Sequence, residues 1–195
     1  MVIVVIPEIN ILRGPTDEDW MFVKKAAFRT MDKDTDKAPT LEWKKRILRA
    51  QHSPIRMLNF LVEFKNLPSW VSVHLVRHVH ATPFVSTQRN DRCNREEGYD
   101  RRKAPQDTPV SMMWYMNAEE LITISHKRYC LLASHETRAV VSRMCNMIEE
   151  KYPEFDGLLQ PLCAYRNGLC DEFNPCEYYQ KHHHGFFPKN KEDEQ

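Results

Sequence analysis

The spacing of apolar residues along the chain predicts five helices. In each segment they recur three or four positions apart, the period that lines one face of an α-helix. Three of the segments follow a residue whose side-chain oxygen can cap the first turn: Thr16, Asn117 and Ser134. The predicted helices are residues 17–31, residues 40–51, a segment from Pro68 that ends before Pro83, a segment from Asn117 to Leu132 with Glu120 completing a capping box, and a long segment after Ser134 that includes Ile148.

Two shorter apolar runs, Val2 to Ile6 and Met57 to Phe64, have the length and composition of strands. Residues 31–39 and the stretch from Pro83 to about Pro109 are polar and rich in turn-forming residues, so we expect loops there. Because the pattern is mainly helical with few strands, it predicts the α+β class.

The composition is that of an ordinary globular protein and excludes several classes of function. The chain has 195 residues, 42% hydrophobic and 28% charged, enough for one domain with a real core. Its formal net charge of +1 provides no overall field for binding nucleic acid, and its 5 glycines form no phosphate-binding loop motif. No apolar run approaches the roughly 20 residues of a membrane span, and Met1 to Ile6 lacks the features of a signal peptide. We therefore expect a cytoplasmic protein that binds neither membranes nor nucleic acid.

An arginine-rich stretch is the strongest candidate for a binding site. Arginine presents a rigid fork of donors that matches phosphate oxygens or the edge of a pyrimidine. Ser, Thr, Gln and Asn are interspersed and add neutral donors, which suits a flat, phosphorylated ligand. The alternative is a solvated loop, since four acidic residues in the same stretch can neutralise the charges. The six arginines are Arg77, Arg89, Arg92, Arg95, Arg101 and Arg102, and the acidic residues are Asp91, Glu96, Glu97 and Asp100.

Arg128 interrupts the apolar face that Leu121, Ile124 and Leu132 form on the predicted fourth helix. An unpaired buried charge costs several kcal/mol, so this guanidinium must be paired, reach a ligand or extend to the edge of the core. His74, His78 and His80 lie near the first arginine, but no carboxylate stands among them in a metal-binding spacing. We therefore expect these histidines to contact a ligand or solvent instead of a metal ion.

Cysteines cluster near the C-terminus, where Cys163, Cys170 and Cys176 are separated by six and five residues. With a fourth ligand from Cys93, Cys130, Cys145 or a histidine they can form a structural zinc site. Free thiols and a disulfide remain open alternatives. We predict a main domain at 1–155, a cysteine-rich extension at 156–180 and a charged tail at 181–195.

The arginine-rich stretch resembles the signature of the flavin-dependent thymidylate synthases. That signature is Arg-His-Arg, seven residues, Ser, and an arginine two positions further on. Here Arg77-His78-Val79 is followed after seven residues by Thr87 and then Arg89. Other elements of the family match in order over roughly residues 50–150: Ser53-Pro54 as a Ser/Thr-Pro element, Arg101 with Pro105 as Arg-x-x-x-Pro, and Asn117-Ala118-x-x-Leu121 followed by Arg128 as the Asn-Ala-Arg-x-Leu helix.

The resemblance implies helices packed on a small, mainly antiparallel sheet, in a homotetramer that binds FAD between subunits and stacked on dUMP. It implies reductive methylation of dUMP to dTMP, in which NADPH supplies the reduced flavin and methylenetetrahydrofolate supplies the carbon. Arginines, not a cysteine nucleophile, would activate the nucleotide, with Arg77 and Arg128 as catalytic residues. The implied nucleotide site is Arg77, Thr87, Gln88, Arg89, Arg101 and Arg128, and the implied flavin site is His52, His78, His80 and Asn117.

This chain departs from the family pattern at several positions. Val79 replaces the last arginine of the signature, Thr87 replaces serine, and His74 stands where glutamine is usual. Arg56 stands where a glutamate usually follows the Ser/Thr-Pro element, which reverses a charge. Since Val79 and Arg56 alter the cofactor side, modification of another pyrimidine nucleotide, for example hydroxymethylation, is an alternative. A third possibility is a non-catalytic protein that binds nucleotides or nucleic acid and has a zinc-stabilised tail.

Overall fold

The computed structural model describes residues 7–89, 91–92 and 98–176. They divide after Glu120 into two compact units. Six α-helices and a four-stranded antiparallel sheet, among the described residues, confirm the predicted α+β class and its small antiparallel sheet. The predicted domain boundaries at 155 and 180 stay a prediction. No helix in the described part of the chain is long and apolar enough to cross a membrane.

The first unit is built on the sheet, whose strand order is β1-β2-β4-β3. Side chains alternate between buried and exposed along the two central strands, which is the pattern of a sheet with one face against a core. The buried members include Phe60, Val62 and Phe64 on β2 and Met112 and Trp114 on β4. The strands are β1 (Glu8–Arg13), β2 (Asn59–Pro68), β3 (Thr82–Val85) and β4 (Pro109–Asn117).

Three α-helices and a short 3₁₀ helix complete the first unit. Thr16 caps α1 in a full capping box, because Asp19 N donates to Thr16 Oγ1 (3.2 Å) and Thr16 N donates to Asp19 Oδ2 (2.8 Å). Thr40 caps α2 through Trp43 N. The helices are α1 (Asp17–Arg29), α2 (Leu41–Arg49), the 3₁₀ helix Ser53–Met57 and α3 (Ser69–Leu75), so the first three predicted helices are confirmed.

The second unit contains most of α4 (Ala118–Arg128), followed by α5 (His135–Lys151), a 3₁₀ turn (Pro153–Phe155) and α6 (Leu162–Tyr165). Ser134 occupies the predicted N-cap position of α5, but its hydroxyl donates to Thr137 Oγ1 (2.8 Å) and makes no capping hydrogen bond with the backbone. The core of the unit includes the residues that the helical period of α4 and α5 predicts, which are Leu121, Ile124, Val140, Val141, Met144 and Ile148, and also Ile122, Cys145, Phe155, Leu158 and Leu159.

The structure corrects the sequence prediction at the strands and at the end of α4. The predicted strand Val2–Ile6 lies outside the described residues, and β1 follows Pro7 instead. The loop predicted after Pro83 on the basis of its polar, turn-rich composition is wrong at β3, an edge strand that accommodates Pro83. β4 was also not predicted. Helix α4 ends at Arg128, and Leu132 is 51% exposed, so the apolar face that Arg128 was expected to interrupt stops there.

Candidate functional site

Two predicted nucleotide-binding residues, Arg89 and Arg101, line one open cleft of about 540 Å³ in the first unit. Among the described residues, Arg102, Asp91 and Asp100 also line it, so these five side chains together carry a net charge of +1. Sequence analysis counted Arg102 among the arginines of the stretch but did not select it as a site residue. The cleft is thus cationic and large enough for a phosphate with an attached ring.

The acidic residues of the cleft neutralise part of its charge through local ion pairs. Arg89 donates two hydrogen bonds to Asp91, from Nε to Oδ1 at 2.9 Å and from Nη2 to Oδ2 at 2.7 Å. Arg102 binds Asp100 in the same way, at 3.1 Å for each contact. The hydrogen bonds from Arg102 hold the pKa of Asp100 below its usual range, so Asp100 stays ionised. Within the described part of the chain, no carboxylate forms an ion pair with Arg101, which is exposed.

Thr87 and Gln88 shape the approach from β3 to the cleft. Thr87 Oγ1 accepts a hydrogen bond from Arg89 N (3.1 Å), which forms a tight turn. Gln88 donates to Ser69 Oγ at the start of α3 (3.4 Å), and its carbonyl oxygen accepts from Tyr99 OH (3.3 Å). These two polar side chains hold the turn that leads to Arg89.

The two predicted catalytic arginines do not line this cleft. Arg77 is exposed in the turn after α3. Arg128 is the last residue of α4, is half-buried, and belongs to the second unit. The catalytic roles of both residues therefore remain predictions.

His78 lies in a buried polar cluster. Its Nδ1 is 3.3 Å from Glu120 Oε1, and both side chains are less than a tenth exposed. The ring meets that of Trp114 edge-on, with 6.0 Å between centroids. Trp114 Nε1 is buried without a hydrogen-bond partner among the described residues. Burial raises the pKa of Glu120, whereas the charge of exposed His80 lowers it. The carboxyl group of Glu120 thus faces His78 instead of closing the predicted capping box.

His52 lies elsewhere, on a cavity of about 520 Å³ walled by α1, α2 and the 3₁₀ helix. Phe28 and Trp43 give this cavity aromatic walls, and Arg46 adds a positive charge. Asn117, the last residue of β4, caps α4 by accepting a hydrogen bond from Glu120 N (2.9 Å). His78, His80 and Asn117 are not among the residues that line the cavity of His52. The cavity of His52 therefore does not bring the four predicted flavin residues together.

The C-terminal cysteines belong to the second unit. Burial raises the pKa of the Cys163 thiol, and the neighbouring thiols of Cys170, Cys130 and Cys176 raise it further. Within residues 7–89, 91–92 and 98–176, no group of three or more His, Cys, Asp or Glu side chains has an arrangement that holds a metal ion. Cys93 and the histidines at 182–184 lie outside the described residues, so the zinc site remains a prediction without support from the geometry.

With this geometry established, comparison with known proteins identifies relatives. Residues 93–154 match the family model described as thymidylate synthase complementing protein. The predicted family resemblance is confirmed. Two crystal structures of the flavin-dependent thymidylate synthase X from Helicobacter pylori, each with FAD and dUMP, have a similar fold. They share 12% and 14% identity with this chain, with TM-scores of 0.58 and 0.59. The alignments cover 78% of this chain and 97% and 100% of those chains. No curated protein sequence matches the chain.

The match to the thymidylate synthase complementing protein model includes some motifs and excludes others. It spans Arg101 in the cleft, and Asn117 and Arg128 at the two ends of α4. The signature from Arg77 to Arg89, which contains β3, lies outside the matched residues.

His126 is a buried histidine that sequence analysis did not single out. It is 8% exposed, its Nε2 has no hydrogen-bond partner among the described residues, and its ring lies 4.6 Å from that of Tyr165. Burial, aided by the charges of Arg166 and Lys127, lowers the pKa of His126 to about 4. His126 follows Ser125, and both residues are buried on α4. The position of His126 in the predicted helix was the one feature of the sequence that could have indicated its burial.

Proposed function

We propose that this protein is a flavin-dependent thymidylate synthase that binds dUMP and FAD and methylates the uracil ring. The main observation in support of the proposal is that Arg89 and Arg101 line the same cationic cleft. These residues come from two separate motifs of the family resemblance. The cleft occurs in a fold whose solved examples hold FAD and dUMP.

The cleft suits the phosphate and sugar of the nucleotide. Arg101 presents its guanidinium to the opening without a competing ion pair from the described residues, so it is the first donor that an incoming phosphate meets. Arg89 and Arg102 are held by aspartates and would exchange one of these contacts for the phosphate. We assign Thr87 and Gln88 to orienting Arg89 through the turn that they hold.

We propose Arg77 and Arg128 as the catalytic cations. C5 of uracil attacks an electrophilic one-carbon unit most readily when electron density builds up on the ring and its oxygens, and a fixed guanidinium would stabilise that negative charge more than it stabilises the ground state. C5 loses a proton as it gains the methyl group. The end of α4 is a suitable origin for such a group, because the helix backbone fixes the position of Arg128.

The cavity of His52 supports a site for part of the flavin. Its aromatic walls, Phe28 and Trp43, suit stacking on a planar ring, and Arg46 suits an anionic phosphate. FAD, reduced by NADPH, would supply the hydride that turns the one-carbon unit of methylenetetrahydrofolate into a methyl group. We assign His78, His80 and Asn117 to contacts with the flavin.

We propose that the chain acts in the cytoplasm as a homotetramer. Exposed apolar side chains support self-association: Val73 on α3 is 56% exposed, Val79 is 82% exposed, and Phe84 on the edge strand β3 is 60% exposed. Such side chains, on a sheet edge and the helix before it, are suited to contact another subunit.

Val79 also supports a second candidate, flavin-dependent modification of a different pyrimidine nucleotide, for example hydroxymethylation. The family has an arginine at this position, whereas this chain has an exposed apolar side chain that cannot donate a hydrogen bond. Analysis of the products formed from dUMP, dCMP and UMP separates the two candidates, because methyl transfer to dUMP alone excludes the second.

The test of the proposal is a flavin absorption spectrum of the purified protein, followed by titration with dUMP. We expect bound FAD and a spectral change on adding dUMP. Arg101→Ala should weaken dUMP binding about 10- to 100-fold, because it removes a charge-assisted contact. Arg29→Ala is the matched control, since Arg29 is an exposed arginine at the end of α1 that pairs with Asp34. Absence of flavin, or equal effects of the two variants, would contradict the proposal.

A further inference from the structure

Two charge departures from the family pattern lie in different motifs of this chain. Arg56 stands where a glutamate usually follows the Ser/Thr-Pro element. Glu119 stands at the arginine position of the Asn-Ala-Arg-x-Leu motif, which begins here at Asn117. One position exchanges an acid for a base, and the other exchanges a base for an acid.

The structure brings these two residues into direct contact. Arg56 Nε donates to Glu119 Oε2 at 2.6 Å, and Arg56 Nη2 donates to Glu119 Oε1 at 3.1 Å. This is a bidentate contact, the geometry in which arginine binds a carboxylate most strongly and with the most defined orientation. The hydrogen bond to Glu119 and the charge of its carboxylate also raise the pKa of Arg56.

The pair extends the end of the β2–β4 ladder. Asn59 on β2 pairs with Asn117 on β4, and beyond them Ala118 N donates to Leu58 O at 2.9 Å. The next contact outward is the ion pair between Arg56 in the 3₁₀ helix and Glu119 in the first turn of α4. It therefore fixes the 3₁₀ helix, which follows His52, against the start of α4, which follows Asn117.

We propose that Arg56 and Glu119 are a compensating charge exchange, and that the pair positions the segments that carry the flavin residues His52 and Asn117. The positioning role rests on the proposed function, whereas the exchange rests on the contact itself. Reversing one charge of this pair would place like charges together, whereas reversing both would keep opposite charges in contact. The side chains are 60% and 31% exposed, so the pair acts mainly on local geometry and little on global stability.

The test combines the two single reversals with the double reversal: Arg56→Glu, Glu119→Arg, and both together. The probe is FAD, titrated by absorbance, and amide hydrogen exchange of residues 53–57 is followed on the same proteins. We expect each single variant to weaken FAD binding about tenfold and to speed exchange of the 3₁₀ helix, because like charges separate the segments. The double variant should return within about threefold of the original protein in both measurements. Lys25→Glu is the matched control, because it reverses one partner of the exposed Lys25–Asp36 pair on another surface.

Three outcomes would overturn the inference. These outcomes are a double variant that shows the product of the two single effects, single variants that behave as Lys25→Glu does, and hydrogen exchange that stays unchanged in all variants. If the original protein binds no FAD, the proposed function fails. Hydrogen exchange then still decides the charge exchange, because rescue by the double variant requires no cofactor.

Discussion

The arginine cleft and the buried histidine clusters are built in opposite ways. In the cleft, Arg89 pairs with Asp91 and Arg102 with Asp100, so each exposed contact joins residues two positions apart. In the cluster around His78, the partner Glu120 comes from a helix 42 positions further along the chain, and both groups are buried. Exposed local pairs leave charge available to a ligand, whereas buried distant pairs fix the fold.

This contrast has an energetic consequence. Exposed ion pairs contribute little to stability because water screens them and the side chains lose freedom when they pair. A buried polar group costs free energy whenever its partner is lost or its charge changes. Substitutions in the cleft should therefore change ligand binding without unfolding the protein, whereas substitutions at the buried histidines should lower the stability of the fold.

The largest effect on stability is expected from pH at His126. The folded state holds its pKa at about 4, below the 6.5 of an unperturbed histidine, so the unfolded state binds more protons between these values. Stability should be fully present above pH 6.5 and should fall, by about 3 kcal/mol at most, as pH falls to 4. Urea denaturation at pH 7.5, 6, 5 and 4 measures this decrease.

His126→Gln removes the titrating group and should flatten the pH profile between 4 and 6.5. His135→Gln is the control, because His135 is the exposed first residue of α5 and its replacement should leave the slope unchanged. An equal slope in the original protein and His126→Gln would show that the buried imidazole is not its source.

A smaller loss is expected when His78 is removed. His78→Ala leaves the buried carboxyl of Glu120 without its partner, which should lower the free energy of unfolding by about 2 kcal/mol. This loss is smaller than for a buried carboxylate that must stay charged, because burial has already raised the pKa of Glu120 and its carboxylate can take up a proton.

Urea denaturation at pH 7.5 measures this loss, with His135→Ala as the exposed control. Replacement of both partners, His78→Leu with Glu120→Leu, should recover part of the stability, because no unpaired polar group remains. If His78→Ala and the control are equally stable, the pair between His78 and Glu120 contributes nothing to the fold.

The same contrast explains which features the sequence could predict. Helix caps such as Thr16 and local sets such as the cleft arginines depend on residues close together in the chain, so their spacing was sufficient. β3 was not predicted, because its proline is tolerated only by virtue of the edge position that pairing with β4 creates. The pairs Arg56–Glu119 and His78–Glu120 were not predicted either, since they join segments whose proximity depends on the order of the strands.

Arg128 shows a case in which the spacing of apolar residues predicts too much. The helical period correctly placed Leu121 and Ile124 on a buried face, but it extended the helix through Leu132, beyond its actual end at Arg128. The spacing of apolar residues does not show where a helix ends unless a capping or helix-breaking residue marks that position. The half-buried position of Arg128 is therefore explained by the helix terminus as well as by a ligand.

The smallest effect on stability is expected in the cleft itself. Arg89→Ala removes a pair that is half exposed at both ends, so the free energy of unfolding should change by less than about 0.5 kcal/mol. The same variant should weaken dUMP binding about tenfold, because a phosphate-binding fork is lost. Asp91→Asn is the informative companion: it releases Arg89 from its carboxylate and should tighten dUMP binding while leaving stability nearly unchanged. If Asp91→Asn weakened binding instead, Asp91 would be orienting Arg89 for the nucleotide. If Arg89→Ala unfolded the protein, the distinction between an exposed, ligand-directed cleft and a buried, fold-directed cluster would be wrong.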